Sequence, residues 1–351
     1  GACFMYRPEI DGLRALAVIP VILFHFGIEF LGGGFVGVDI FFVISGYLIT
    51  TILIEDIENK CFSILNFYER RARRILPALF FVMTACIPFS WMWMVPSQME
   101  EFSQSLIAVS LFVYNIFAWR KVGYFATEAE EKPFLHTWSL AVEEQFYLLF
   151  PIFLLSAWRF GKSRVFWMIV IMAAISLLIS EWGWRNKATA NYYLTVTRAW
   201  EVLSGSIVAF IIQKNGVKKN NVLAFLGLSA IIFSLFAYNE TIPFPSVYTL
   251  VPVVGTILII LNADRTTLVA KLLSSKVLVG VGLISYSAYL WHQPLFAFAK
   301  IRWGGELSIN FLVTQLLLTG LLAYFTWRFV EQPFRDRVRI SSKSIFSLSL
   351  T

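Results

Sequence analysis

Ten apolar stretches, each near the length that crosses a bilayer, follow one another along this chain and leave only short polar loops between them. A spanning helix takes roughly 20 mostly apolar residues. The runs lie at 12–30, 35–55, 75–95, 137–157, 165–182, 198–213, 222–238, 246–262, 277–298 and 308–328. Composition supports the same reading: 58% of the 351 residues are hydrophobic and 15% charged, against about a quarter charged in an ordinary soluble chain. The expected fold class is an all-α polytopic membrane protein of about ten transmembrane helices. Residues 1–340 form one membrane domain, and 341–351 are a tail or the start of a further segment. No internal repeat or soluble domain is expected.

An eleventh apolar run, 103–119, is ambiguous, and charge decides how it is read. If it does not cross, the clusters Arg70/Arg71/Arg73/Arg74, Arg159/Lys162/Arg164, Lys214/Lys218/Lys219, Arg265/Lys271/Lys276 and Arg335/Arg337/Arg339 share one side. About 21 basic residues then face the cytoplasm and about 8 the outside, the bias that membrane insertion produces. The run is therefore expected to be re-entrant, buried in protein as non-spanning segments must be, with the N-terminus cytoplasmic. The same argument disposes of nucleic acid as a partner. The formal charge of +7 comes from short clusters between apolar runs, and the bilayer is the partner that explains them. The first run contains Arg14 and His25 and shows no cleavage site, so it is not expected to be a signal peptide. Cys3, Cys61 and Cys86 stand far apart, without metal-ligand spacing, and no metal site is expected.

Ionisable side chains inside spans are costly and are functional candidates by default. Arg14 and His25 are eleven residues apart on the first run, which on a helix is three turns plus about 20°. They share a face, with an offset of about 16 Å along the axis. Arg14 alone is also readable as a snorkelling anchor, and His25 as a satisfied structural histidine. Glycines 32–34 and 37 precede Asp39 and permit close helix contact; Asp39 is a catalytic candidate or a polar partner that fixes packing. In H-T-W-S-L-A-V-E-E-Q-F-Y, positions 136, 140, 143 and 144 follow the pattern of one helix face. Adjacent Glu143 and Glu144 in an apolar run suit proton acceptance or relay, the competing account being an ion pair with Arg198 or Arg14. Arg71, Arg73 and Arg74 at a helix entrance fit anionic lipid or a phosphate ligand, although no Walker or GxGxxG motif is present. Trp200, Glu201, Tyr286 and His292 sit in or beside spans toward the outer side.

Seven motifs in order carry a resemblance: P-E-I-D-G-L-R-A-L-A-V with F-H-F at 8–26, G-G-F-V-G-V-D-I-F-F-V-I-S-G-Y-L-I-T at 33–50, F-Y-E-R-R-A-R-R-I-L-P-A at 67–78, L-H-T-W-S-L-A-V-E-E-Q-F-Y, R-A-W-E, I-S-Y-S-A-Y-L-W-H-Q-P and V-E-Q-P-F-R. Together they resemble acyltransferase family three, the membrane-bound O-acetylases of bacterial surface polysaccharides, O-antigen among them. The resemblance implies a bacterial cytoplasmic (inner) membrane enzyme. Its donor would be cytoplasmic acetyl-CoA or another acyl-CoA, and its acceptor a glycan hydroxyl on the outer side, on a surface polymer or a lipid-linked precursor. It also implies that Arg14 and His25 are an essential pair and that Arg71, Arg73 and Arg74, with Arg14, hold the donor. His25 would act as general base or carry the acyl group, with Asp39, His136, Glu143 and Glu144 assisting. Trp200, Glu201, Tyr286 and His292 would line the acceptor side. Some relatives continue into an SGNH-type domain, for which this chain has no room, so a partner supplying one is a further expectation. The rival class is a proton-coupled transporter or flippase that uses the same buried charges. A scaffold would explain the fold but not the clustering.

Overall fold

In the computed structural model, residues 5–121, 127–305, 308–336, 340–341, 344–345 and 347 are described. The elements are α1 (Pro8–His25), α2 (Gly37–Glu58), α3 (Ile64–Trp93), α4 (Pro96–Ser110), α5 (Tyr114–Lys121), α6 (Thr137–Trp158), α7 (Lys162–Asn186), α8 (Ala188–Tyr193) and α9 (Thr195–Asn215). They continue with α10 (Asn221–Ala237), α11 (Leu250–Asn262), α12 (Leu268–Leu273), α13 (Lys276–Leu283), α14 (Ser285–Trp303), α15 (Ile309–Thr326) and, after a π-turn, α16 (Gln332–Arg335). No strand occurs among the described residues. Six helices there are long and apolar enough to cross a membrane unaided: Gly34–Glu58, Ile64–Trp93, Thr137–Trp158, Lys162–Asn186, Ala188–Asn215 and Ile309–Arg335. Their outward faces carry exposed Leu149, Ile171, Leu178, Leu317 and Leu321, which lipid rather than water would cover.

The remaining expected spans are present in altered form. α10 and α11 are apolar but shorter, and they pack against one another as a hairpin. α1 begins with buried Glu9 and Asp11. The run 277–298 is not one helix but two, α13 and α14, divided at Ile284. The ambiguous run 103–119 is likewise broken: Phe112 adopts φ 53°, and α4 and α5 lie on either side of it. Eight residues of α5 rise only about 12 Å, so this run does not form a continuous crossing helix.

Two devices hold α2 against α9, an extensive helix pair. One is steric. A Cβ on Gly46 would stand 1.9 Å from the Val202 carbonyl oxygen, and one on Gly205 2.0 Å from that of Val43. Backbones this close gain dispersion contact that larger residues prevent. The other is ionic. Arg198 on α9 donates from Nη1 to Asp39 Oδ1 at 2.9 Å and to Glu201 Oε1 at 3.2 Å, and from Nε to the Tyr192 carbonyl at 2.9 Å. Its guanidinium also sits over the rings of Trp138, Tyr192 and Phe244 at 5.0, 4.7 and 5.5 Å, where cation–π attraction adds to the tie.

Arg14 lies in the first half of α1 and His25 closes it, and α3 shows the same polarity. Arg71 and Arg74 lie near its start, while Trp93 at its end packs on Phe298 and Trp303. The molecule thus has an arginine end and a histidine end.

Replacing Gly46 by Val should cost about 1–3 kcal/mol or more by overpacking, whereas Gly320→Ala, with nothing within 4 Å of the new methyl, should be silent. Melting in detergent by intrinsic fluorescence checks both; equal melting temperatures would contradict the close approach. Arg198→Met strands two buried carboxylates and should destabilise by about 3–5 kcal/mol. A monodisperse variant that melts with the wild type would remove Arg198 as the tie.

Candidate active site

A cavity of about 340 Å³ opens at the arginine end and runs between α1, α2, α3, α6 and α14. That volume lies at the lower end of the roughly 300–1,000 Å³ typical of small-ligand sites. Its lining carries five arginines, Arg7, Arg14, Arg71, Arg74 and Arg335, against two carboxylates, Asp11 and Glu143. That imbalance of charge suits an anion.

Helical register decides which arginines of the 70–74 cluster take part. Arg71 and Arg74 are three apart and share the cavity face of α3. Arg70 and Arg73 share another face and are engaged elsewhere: Arg70 Nη2 meets Asp56 at 2.7 Å, and Arg73 bonds to Glu69 at 2.8 Å and to the Phe334 carbonyl at 3.1 Å. Arg73, expected among the donor-binding residues, is therefore a strut between α3 and the C-terminal helix. Neither Arg71 nor Arg74 forms an ion pair among the described residues. Arg335, which arrives from α16, was not among the expected site residues. It is held by Glu331 at 2.5 Å, and Glu331 in turn accepts from the Ser287 hydroxyl. At the mouth, Tyr6 donates to Asp11 at 2.5 Å, and Asp11 faces Arg14 at 3.5 Å. Partial burial and the Asp11 carboxylate push the Tyr6 phenol up to about 12, so it remains a donor at neutral pH.

Inward, the arginines give way to hydroxyl and apolar groups and one carboxylate. Ser139, Leu140, Glu143 and Tyr147 present one face of α6, and Tyr147 donates to Glu143 at 3.1 Å. Tyr286, expected on the acceptor side, also lines this cavity and donates to the Ile75 carbonyl at 2.8 Å. Glu144 points off the cavity face, with one carboxylate oxygen buried and without a hydrogen-bond partner. The ion pair weighed for these glutamates with Arg198 is not formed, because Arg198 is held by Asp39 and Glu201.

The cavity ends at Tyr289. Its hydroxyl stands 2.7 Å from Ser139 Oγ and donates to the His136 carbonyl at 2.9 Å. Directly beyond it all three histidines of the chain converge. The His292 ring lies 5.0 Å from that of His25 and 5.2 Å from that of His136, and the Tyr289 ring lies 5.1 Å from His136 and 5.3 Å from His292. His25 Nδ1 is 2.9 Å from the Val21 carbonyl and 3.4 Å from His292 Nε2, while His292 Nδ1 is 2.6 Å from the Tyr289 carbonyl. These carbonyls can only accept, so each Nδ1 carries the hydrogen. The His25 Nδ1–H is then shared between Val21 and the His292 lone pair, and Nε2 of His25 is the basic nitrogen. No group of three His, Cys, Asp or Glu side chains among the described residues converges as metal ligands would.

Of the groups expected to assist His25, His136 is in its cluster and Glu143 lies in the cavity below. Asp39 is engaged with Arg198, and Glu201 and Trp200 are buried in the α9 packing; none of these three lines the cavity. His292, expected on the acceptor side, is instead the ring beside His25. Tyr289 was missed, although it lies three residues before His292 in I-S-Y-S-A-Y-L-W-H and thus on the same helix face.

A family model described as "Acyltransferase domain" matches residues 7–329. The O-acetyltransferase OatA of Staphylococcus aureus (strain NCTC 8325 / PS 47) is 36% identical over 357 residues, covering 95% of this chain and 58% of that protein. The peptidoglycan O-acetyltransferase OatA of Listeria monocytogenes serovar 1/2a is 34% identical, covering 94% of this chain and 56% of its own length. The chain thus spans less than two thirds of these relatives. No solved structure matches it. The match along nearly the whole chain, over the elements that build the arginine-lined cavity and the histidine cluster, places the protein in the acyltransferase family that this domain defines.

Proposed function

We propose that the protein is a membrane O-acyltransferase that moves an acyl group, acetyl in the simplest case, from acyl-CoA to a glycan hydroxyl at the opposite end of the molecule. The observation that carries this is the order of groups along one path: phosphate-compatible arginines at the mouth, an arginine-free passage that holds Glu143, then Tyr289 and the histidine cluster. Arg71, Arg74, Arg14 and Arg335 would grip the donor phosphates, guanidinium being suited to bidentate contact. The pantetheine arm would extend along the passage, and its thioester would arrive beside Ser139 and Tyr289, whose hydroxyls bond to one another and to the His136 carbonyl.

Two routes are open to His25 Nε2. As general base it takes the proton of the acceptor hydroxyl while that oxygen attacks the acyl carbon, and the imidazolium then protonates the departing thiolate. As carrier it attacks the acyl carbon itself, CoA leaves, and the acyl-imidazole passes the group to the hydroxyl. The names of the relatives favour a cell-wall glycan of the peptidoglycan class as acceptor over O-antigen. The positive-inside bias supports a cytoplasmic arginine end, the side on which acyl-CoA would be met. Transfer is direct or passes through an SGNH-type domain or partner. The division of one span at Ile284 is the feature that keeps a transporter in view; thiol release in detergent, with no membrane potential, favours the enzyme.

Free-thiol release from acetyl-CoA, with a peptidoglycan fragment as acceptor, tests the reading. His25→Ala should lower turnover by about 10²–10⁴-fold, and wild-type turnover in that variant would sink both routes. Arg74→Ala should raise KM for acetyl-CoA by about ten- to a hundredfold, the range of a lost charge-assisted hydrogen bond, with kcat little changed. An unaltered KM would move the donor elsewhere.

A further inference from the structure

A second cavity, of about 310 Å³, lies at the histidine end between the end of α3, α4, α5 and the turn before α6. Ile75 of α3 lines the first cavity and Met94, one residue past its end, lines the second, an axial separation of about 28 Å. Its walls are aromatic: Phe102 stacks on Phe134 at 5.6 Å, and Tyr114 packs on Phe117 at 5.4 Å. Its polar groups form a hydrogen-bonded rim. Gln98 donates to Glu131 at 3.1 Å and accepts from the Val95 backbone at 3.2 Å, while Lys132 pairs with Glu101.

This cavity and the histidine cluster share one piece of backbone. Lys132, Pro133 and Phe134 line it, and His136 follows two residues later. The turn is fastened on both sides of the catalytic candidates: Gln293 Nε2 donates to the Lys132 carbonyl at 3.1 Å, and Tyr289 donates to that of His136. Gln293 adjoins His292, is fully buried, and keeps its side-chain oxygen without a hydrogen-bond partner. Among the described residues no histidine lines the cavity itself; its link to the cluster is this shared turn, on the side away from the arginines.

We infer that the cavity is the acceptor subsite and that it takes a neutral or N-acetylated sugar rather than an acidic one. Aromatic faces beside amide and carboxylate groups suit a pyranose, with its apolar C–H face and hydroxyl edge. Two carboxylates, Glu101 and Glu131, against the single Lys132 disfavour a uronic acid by like-charge repulsion. The inference rests on the acyl-transfer reading and adds the place and class of its acceptor.

The test is titration calorimetry on the full 351-residue chain in detergent, with tetra-N-acetylchitotetraose as the neutral probe, tetragalacturonate as the acidic one, and CoA titrated separately. The neutral probe should bind saturably and at least tenfold tighter than the acidic one. Phe117→Ala should weaken it at least tenfold, and so should Ser97→Trp, which fills the cavity from an exposed position. CoA binding in the same preparations reports that the arginine end is folded. Absence of saturable neutral binding in a chain that binds CoA, equal affinity for the two probes, or wild-type binding in both variants overturns the subsite while the donor assignment stands. Failure of the wild type to bind CoA would instead strike the acyl-transfer reading itself.

Discussion

Arg198 cannot be read apart from the solvent it occupies. A guanidinium in a low-dielectric interior is tolerated only with its charge matched and its donors used. Here Asp39, Glu201, the Tyr192 carbonyl and three aromatic rings do both. The residues that satisfy it come from α2, from α8 and from α9 itself, so the ionic requirement joins elements far apart in sequence. Gly46 and Gly205 act on the same pair of helices from the opposite direction, letting the backbones approach until carbonyl oxygens occupy the space of a side chain. Ionic matching and close approach together fix α2, and α2 is one wall of the arginine-lined cavity.

That division of labour explains why buried charge is a poor guide to function taken alone. Asp39, Arg198 and Glu201 are as buried as any group in the protein, yet each is engaged by the others. Arg71 and Arg74 have no ion-pair partner among the described residues and face a cavity. The distinction lies in helix register. Within R-R-A-R-R, positions three apart share a face, so two arginines enter the cavity while Arg73 bonds to Glu69 one turn earlier. The same register turns Glu143 inward and Glu144 away.

Much of this was legible in the sequence because it depends on periodicity within one helix. The α-helical membrane class and the shared face of Arg14 and His25 follow from spacing and hydropathy; Glu143 and Glu144, read together on one face, are parted by the structure, which lines the cavity with Glu143 alone. The remainder depends on contacts between helices, which spacing does not encode. Arg335 lies 261 residues after Arg74 in the chain, and only the fold brings both to one cavity. The convergence of His292 with His25 and His136 is of the same kind. The break at Ile284 is hidden because V-L-V-G-V-G-L-I-S is apolar throughout. Gly282 gives the structural reason for it: a Cβ there would stand 1.9 Å from the Asp11 carbonyl oxygen, so α13 packs against the start of α1 while α14 runs on its own course.

The same contact bears on how distance is set in the proposed reaction. Arg14 and His25 belong to one helix, and their offset of about 16 Å is a property of backbone hydrogen bonding rather than of flexible side chains. α1 is clamped by close backbone approaches in its first half and at its middle: Gly12 and Gly282 where it meets α12 and α13, and Gly37 of α2 against the Ala17 carbonyl. A donor gripped at its phosphates therefore has its reactive end delivered at a depth that helix geometry fixes. Tyr289 stands at that depth, hydrogen-bonded to Ser139 and to the backbone of His136. Catalysis gains most from groups that need not move to reach the transition state. Arg14 of the phosphate grip and the base share one helix, and its backbone fixes their separation with no moving part between them.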